Sequence, residues 1–272
     1  FFVLIAVLGG LIGAAFNRCN ARLCRWRREH LVLPKRSALR VLEALLVCFV
    51  TACVVFWLPV IFSECKAEPY FDADATSPLA LIIRDLKSHH IYPRFSCAEG
   101  EWNPMAQYVF SGSTVAIKGM FHDEARHELP ALFVYTLCMF GLACLTYGIG
   151  TPSGLFVPGL LIGCGFGRFV GELVKFHILP CQRSDDGMCV DGGLNVRAGP
   201  YALIGACAML GGVTRMTLSL TIICLETTQS ADYLLPIMLT LVVSKWVGDL
   251  FGISLYDLHL ELRCMPFVES TA

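Results

Sequence analysis

The sequence predicts an all-α protein that crosses a membrane several times, with helices that break inside the membrane. Of its 272 residues, 56% are apolar and 16% are charged, against about 45–50% and about 25% in average soluble domains. Residues 129–167 form a 39-residue stretch without Asp, Glu, Lys or Arg, and residues 44–63 form another of 20. A spanning helix needs roughly 20 mostly apolar residues. Composition and charge placement therefore exclude a soluble enzyme.

Six apolar runs account for the predicted helices. They lie at residues 1–17, 41–62, 129–149, 155–177, 201–224 and 233–253. Between the first two runs, residues 18–40 contain eight Lys or Arg and a single acid. Because an excess of basic residues marks the cytosolic side of a membrane protein, we expect a solvated cytosolic connection there. The net charge of −1 leaves no general basic surface for nucleic acid.

The polar loop at residues 63–104 then faces a lumen or the outside, since the helix before it starts on the cytosolic side. This loop contains Cys65 and Cys97, and a later polar segment contains Cys181 and Cys189. Disulfides form in oxidising compartments, so the two pairs are candidate disulfides. Four free thiols are an equal alternative, because sequence alone does not assign pairing.

The longest uncharged stretch contains a segment rich in glycine and proline, residues 148–159. Pro152 and Pro158 cannot lie in a helix interior without loss of hydrogen bonds, and the glycines permit non-helical backbone. We expect the preceding helix to end here and a new helix to begin near Phe156, with Pro158 in its first turn. Irregular backbone at membrane depth is tolerated where it is buried in protein or lines an aqueous cavity.

A helix that begins inside the membrane leaves its first N–H groups without intrahelical acceptors. Here these groups belong to Leu155, Phe156 and Val157, and with the positive end of the helix dipole they can bind an anion without any formal charge. A permeating anion must also leave, and partial charges release it more readily than a buried cation would. A kinked helix held by its neighbours is the alternative that these residues leave open.

Residues 154–158, Gly-Leu-Phe-Val-Pro, are similar to the GxFxP signature of the CLC family of chloride channels and chloride/proton exchangers. Further segments resemble the family at residues 145–148, 163–171, 199–212, 213–219, 225–228, 236–238, 245–249 and 255–259. The resemblance extends from the first helix to residue 268. It is nearest to the late-endosomal and lysosomal branch, which shares the pattern of Cys65 followed by Cys97-Ala-Glu-Gly-Glu101.

The resemblance implies a chloride site. In the family, chloride binds main-chain N–H groups of the GxFxP turn and the hydroxyl groups of one tyrosine and one serine. The matching residues here are Gly154, Leu155, Phe156 and Val157, together with Tyr256. A phenol hydroxyl is a neutral donor, so this role is chemically sound. Without the resemblance, Tyr256 is better interpreted as an aromatic anchor at the membrane interface.

The resemblance also predicts the domain organisation. The family's serine motif, gating glutamate and proton-relay glutamate would precede Phe1, and its cytosolic CBS pair would follow Ala272. We therefore expect a fragment in which residues 1–263 are the C-terminal part of a CLC-type transmembrane domain, the second half of an inverted repeat with re-entrant helices. Residues 264–272 would start a cytosolic linker.

Partners and location follow from the same resemblance. A homodimer is expected through residues 1–17, 215–228 and 233–250, with chloride, protons and membrane lipid as further partners and an accessory subunit as another candidate. The protein would be a multi-pass protein of the late endosome, lysosome or another intracellular membrane. Within the chain, Gly159, Gly163 and Gly167 favour close packing of two helices. Glu226, an acid in an apolar run, is a functional candidate by default. The resemblance implies no proton-relay role for it, and we expect it to pair with Arg215 or Lys245.

The predicted function is chloride transport by a voltage-dependent chloride/proton antiporter, with a passive chloride channel of the same family as the alternative. No metal site and no cofactor are predicted, and chloride is the transported ion. An intramembrane enzyme would need a nucleophile with a base, and Ser153 has no evident base. A non-transporting scaffold would not need two prolines and four glycines in its most buried segment.

Overall fold

Backbone N–H and C=O groups must be satisfied within the protein in an apolar environment, so the apolar runs fold as helices. A computed structural model describes residues 2–32, 37–63, 65–67, 95–98, 101–122, 129–177, 198–228 and 233–262. The helices are α1 (Phe2–Arg27), α2 (Ser37–Ile61), α3 (Pro104–Phe110), α4 (Ser113–His122), α5 (Leu129–Thr146), α6 (Phe156–His177), α7 (Ala198–Thr214), α8 (Leu218–Thr228), α9 (Leu234–Leu250) and α10 (Leu255–Leu262). A π-helical turn, Arg28–Val32, extends α1, and the short strands β1 (Lys66–Ala67) and β2 (Glu101–Trp102) pair antiparallel.

The predicted helical membrane fold is confirmed. Within the described residues, five helical segments are long and apolar enough to cross a membrane: Phe2–Leu31, Ala38–Ile61, Leu129–Thr146, Phe156–Val174 and Leu234–Leu262. A shorter apolar helical segment, Gly199–Thr214, accompanies them. Among the described residues, β1 and β2 are the only strands, and they join the two sides of the polar loop that follows α2.

The basic segment after the first apolar run differs from the prediction. It was expected to be a solvated connection, but α1 continues through it to Arg27. Arg27 is buried. Arg18, Arg22, Arg25 and Arg28 are exposed. The prediction of a solvated segment therefore agrees with these four residues and is wrong for Arg27, and the segment is helical.

The apolar run at residues 201–224 is divided into two helices, which hydropathy alone did not predict. Arg215 has a left-handed backbone, with φ of 61°, and its N–H donates to the carbonyl of Gly211 (3.1 Å). This hydrogen bond is the usual way in which a helix is closed by a left-handed residue. A non-helical segment of three residues, 215–217, then leads into α8.

The buried helix α7 packs against α1, α6 and α9. All residues from 201 to 214 are buried. Its contact with α6 is made by glycines: a Cβ on Gly163 would lie 2.5 Å from the Cα of Ala206, and one on Gly159 would lie 2.8 Å from Leu210 Cδ2. The small residues thus let the two backbones approach closely, as their spacing predicts.

A buried arginine joins α6 to the end of α4. Arg168 is fully buried, and its Nη1 donates to the carbonyls of Met120 (2.7 Å) and Gly119 (3.4 Å). The same end of α4 also contacts α7. Gly199 lies so close to the backbone of Phe121 that a side chain at position 199 would have no room. The end of α4 therefore contacts both α6 and α7, the two helices that meet at the glycines.

Substitution of Gly163 by alanine tests the close approach of α6 and α7. We expect Gly163→Ala to lower the free energy of unfolding by about 1–3 kcal/mol, because the added methyl group has no room. Gly141→Ala on α5 is the matched control, since nothing lies within 4 Å of its Cβ position and alanine favours a helix over glycine. Thermal unfolding in detergent measures both variants. Equal stability of the two would contradict the packing described here.

Candidate functional site

The Gly154–Pro158 turn lies between the end of α5 and the first turn of α6, where the sequence predicts it. α6 begins at Phe156, and its first hydrogen bond runs from the N–H of Gly159 to the carbonyl of Leu155 (2.9 Å). Pro158 occupies the first turn of the helix, where a missing N–H costs no intrahelical hydrogen bond. Residues 147–155 are irregular backbone.

Three backbone donors at this helix start have no acceptor within the part of the chain that the structure describes. Among the described residues, no atom accepts a hydrogen bond from the N–H groups of Leu155, Phe156 or Val157. The Leu155 side chain is 7% exposed, whereas Gly154 is exposed and Val157 is 36% exposed. The turn is therefore anchored by one leucine, and the backbone around it is open.

Tyr256, the predicted hydroxyl donor, is the second residue of α10. Ser254 precedes the helix; its Oγ accepts from the N–H of Asp257 (3.2 Å) and donates to Asp257 Oδ2 (2.7 Å). A serine in this arrangement caps the N-terminus of a helix, so the start of α10 is well defined. Tyr256 itself is 42% exposed.

One buried cluster connects the turn to the start of α10. Leu155 and Ile162 belong to the same cluster as Leu255 and Leu258. The neighbours of Phe156 and Tyr256 in the chain are thus parts of one packed group, although they are far apart in sequence. The chloride-binding role of Gly154, Leu155, Phe156, Val157 and Tyr256 stays a prediction.

Arg27 holds the C-terminal end of α5, from which the turn departs. Its Nη2 donates to the carbonyl of Leu145 (2.5 Å) and its Nη1 to that of Tyr147 (3.1 Å). Its Nε pairs with Glu43 Oε1 on α2 (2.5 Å). The last carbonyls of a helix lack intrahelical partners, and a cation at that end is favoured by the helix dipole. Arg27 thereby stabilises the point at which α5 ends.

Asn20 lies on the same face of α1 as Arg27, and it bonds the same end of α5. Its Nδ2 donates to the carbonyls of Cys144 (3.3 Å) and Tyr147 (2.8 Å). Its Oδ1 lies 3.1 Å from Nε2 of His259 on α10. Asn20 is fully buried, so its hydrogen bonds are needed to offset the cost of burying an amide.

Two further arginines of the α1 segment bond the ends of other helices. Arg18 Nη2 donates to the carbonyl of Phe251, which follows α9 (3.1 Å), and Arg28 Nη1 donates to that of Leu262 at the end of α10 (2.8 Å). Sequence reasoning missed these roles because it treated the basic segment as one unit. The spacing of Asn20 and Arg27, seven residues apart and thus on one helical face, was the signal available.

The expected pairing of Glu226 is wrong. Arg215 forms its ion pair with Asp249 on α9 and donates through Nε to the carbonyl of Gly212 (2.9 Å). Glu226 is exposed on α8 and, within the described part of the chain, pairs with neither Arg215 nor Lys245. The physical reason is that the left-handed backbone at Arg215 directs its side chain over Gly248 of α9.

Cys65 and Cys97 are joined by a disulfide, beside the paired strands β1 and β2. Cys181 and Cys189 lie outside the described residues. Among the residues that are described, no group of three or more His, Cys, Asp or Glu side chains could hold a metal ion. The disulfide closes the polar loop that leads from the end of α2 to the start of α3.

Several long apolar helices define the chain as an integral membrane protein. One of them, α6, starts at a turn whose backbone donors have no acceptor among the described residues. A family profile described as voltage gated chloride channel matches residues 1–249. The chain belongs to this family.

Individual relatives agree with the family match. The H(+)/Cl(-) exchange transporter 7 of Mus musculus is 38% identical over 268 residues, covering 98% of this chain and 30% of its own length. Chloride channel protein A of Dictyostelium discoideum is 31% identical over 297 residues, covering 99% of this chain and 32% of its own. The chain thus spans about a third of the length of these relatives.

A solved structure shows the same fold. The crystal structure of a eukaryotic CLC transporter superposes with a TM-score of 0.56 at 23% identity, covering 100% of this chain and 37% of that one. The likeness to a CLC transporter fold agrees with the helical architecture described above. The named relatives are transporters and channels.

Substitution of Arg27 tests the anchor of α5. Arg27→Ala leaves Glu43 and two carbonyls without their buried partner, so we expect the free energy of unfolding to fall by about 3 kcal/mol. Arg25→Ala is the control, because Arg25 is exposed on the same helix and its loss should change stability by at most about 0.5 kcal/mol. Thermal unfolding in detergent gives both values. A loss no larger than that of the control would contradict the anchor.

Proposed function

We propose that this chain binds and transports chloride at the Gly154–Pro158 turn, as part of a chloride/proton antiporter. The observation that carries the proposal is the set of N–H groups of Leu155, Phe156 and Val157, which have no acceptor among the described residues. Backbone donors at a helix N-terminus suit an anion. Tyr256 supplies a hydroxyl donor from α10, whose start packs into the same cluster as the turn.

The electrostatics around the turn support an anion site. The C-terminal end of α5 carries a partial negative charge, which would repel chloride, but Arg27 and Asn20 engage its carbonyls. The start of α6 then presents its positive end without competition from those carbonyls. Neutral donors bind an ion weakly enough to release it, which transport requires.

Proton-coupled exchange is preferred to a passive channel because the relatives of 38% identity are named H(+)/Cl(-) exchange transporters. The names of the Dictyostelium relatives, chloride channel proteins, favour the channel as the second candidate. A voltage-dependent antiporter without enzymatic activity is the form that we propose. Chloride and protons are then its substrates.

We further propose that residues 1–263 form the C-terminal part of the transmembrane domain and that the protein works as a homodimer. Exposed apolar side chains on the three proposed interface segments support this: Val3, Leu4, Leu8, Leu11, Leu218, Ile222, Leu235, Leu239 and Trp246. The disulfide between Cys65 and Cys97 suits a loop that faces an oxidising lumen. Late endosomes or lysosomes are the proposed location.

The decisive test compares Phe156→Pro with Phe156→Ala in the complete protein, reconstituted in liposomes. Both variants lose the phenyl ring, but only proline lacks the backbone donor, and position 156 is the first residue of α6, where proline fits a helix. We expect chloride flux at a fixed low chloride concentration to fall about tenfold more in Phe156→Pro. A chloride electrode measures the flux. Equal flux in the two variants would count against the site.

Proton movement separates the exchanger from the channel. In liposomes with a chloride gradient and no pH gradient, an antiporter drives protons uphill, because each chloride that moves one way obliges protons to move the other way. A pH-sensitive dye inside the liposomes should therefore report a pH change that an uncoupler abolishes. Chloride flux without any such pH change favours the passive channel.

A further inference from the structure

Asn20 on α1 bonds two separate elements of the proposed anion site. Its Nδ2 donates to the carbonyl of Tyr147 after α5 (2.8 Å), and its Oδ1 lies 3.1 Å from His259 Nε2 on α10. An amide oxygen only accepts hydrogen bonds, so this contact is a hydrogen bond in the tautomer of His259 that carries its proton on Nε2. Both ends of one buried amide therefore join the end of α5 to α10.

Each bonded element leads to a predicted chloride ligand. From Tyr147 the chain runs directly through the turn to Leu155. On α10, Tyr256 precedes His259 by three residues, so the two lie on neighbouring positions of one side of the helix. A shift of α10 against the end of α5 would consequently change the position of the Tyr256 hydroxyl relative to the backbone donors of the turn.

The surroundings of this amide are tightly packed. Gly148 has a left-handed backbone with φ of 96°, and a Cβ there would clash with Cys24 Sγ and lie 3.4 Å from Arg27 Nη1 and 3.7 Å from His259 Cε1. The Tyr147 ring meets the His259 ring edge-on, with centroids 5.0 Å apart. The end of α5 and α10 thus meet around Asn20 with little space for movement.

We propose that Asn20 is a positioning residue for the anion site, holding Tyr256 of α10 at a fixed place relative to the amide donors of the turn. The proposal rests on the chloride function proposed above. Donors that converge on one ion must be held to within about 0.5 Å, and Asn20 is bonded to both of the elements that carry them. Its own side chain need not touch chloride.

The test compares Asn20→Ala with Asn103→Ala in the complete protein in liposomes. Asn103 is also a fully buried asparagine whose Nδ2 donates to carbonyls, those of Pro59 (3.3 Å) and Phe62 (3.4 Å), but it caps α3 beside the end of α2. Because each substitution removes a buried, hydrogen-bonded amide, we expect both variants to lose comparable stability. We expect the half-saturating chloride concentration to rise about fivefold to tenfold in Asn20→Ala and to stay within about twofold of wild type in Asn103→Ala.

A second pair of variants keeps the test valid if Asn20→Ala does not fold. His259→Ala removes the partner of Asn20 Oδ1 that comes from α10 and leaves the Cys24 Sγ donor on α1 (3.5 Å) in place, whereas His259→Gln offers an amide N–H instead of the imidazole. We expect His259→Ala to raise the half-saturating chloride concentration about fivefold and His259→Gln to restore it to within about twofold. A role in packing alone predicts no such rescue.

The outcomes separate this inference from the function on which it rests. If wild-type liposomes carry no chloride, the proposed function fails. If wild type transports chloride and Asn20→Ala behaves like Asn103→Ala, or His259→Gln behaves like His259→Ala, then the positioning role is wrong and the chloride function stands. A raised half-saturating concentration with rescue by glutamine supports the positioning role.

Discussion

Helices that end inside an apolar protein leave backbone carbonyls that require partners, and the side chains of α1 supply them here. Arg27 and Asn20 bond the last carbonyls of α5. At the exposed surface, Arg18 bonds the residue after α9, and Arg28 of the π-helical turn bonds the last residue of α10. An unpaired buried carbonyl costs about 1–3 kcal/mol. The end of α5 is stable because side chains of α1 bond its last carbonyls. The irregular turn follows that end and depends on it.

The same arrangement separates two opposite partial charges. The C-terminal end of α5 is engaged by a cation and an amide, and the N-terminal end of α6 keeps its donors free among the described residues. Helix ends of opposite sign would otherwise lie close together along the chain and weaken each other's field. The hydrogen bonds of Arg27 and the anion binding that we propose for the turn therefore belong to one electrostatic arrangement.

Sequence reasoning succeeded where one local rule determines the structure. Proline cannot continue a helix interior, so the restart at Phe156 with Pro158 in the first turn followed from the chain alone. Sequence reasoning failed where a long side chain can pair with any of several residues that are distant in sequence. The burial of Arg27 depends on Glu43 and on α5, and the choice of Asp249 by Arg215 depends on a left-handed backbone between α7 and α8. Neither is visible in composition or periodicity.

The glycine contact between α6 and α7 has a consequence for how the two helices find their alignment. Glycines recur every fourth residue on α6, at 159, 163, 167 and 171, so a slip of one helical turn would again place glycine opposite Ala206. Smooth stripes of this kind allow close approach without selecting a register. Arg168 selects it, because its buried charge must reach the Met120 carbonyl, and Gly199 of α7 lies against the next residue of α4. The buried charge of Arg168 is costly to bury, but it excludes the alignment in which α6 is shifted by one turn along α7.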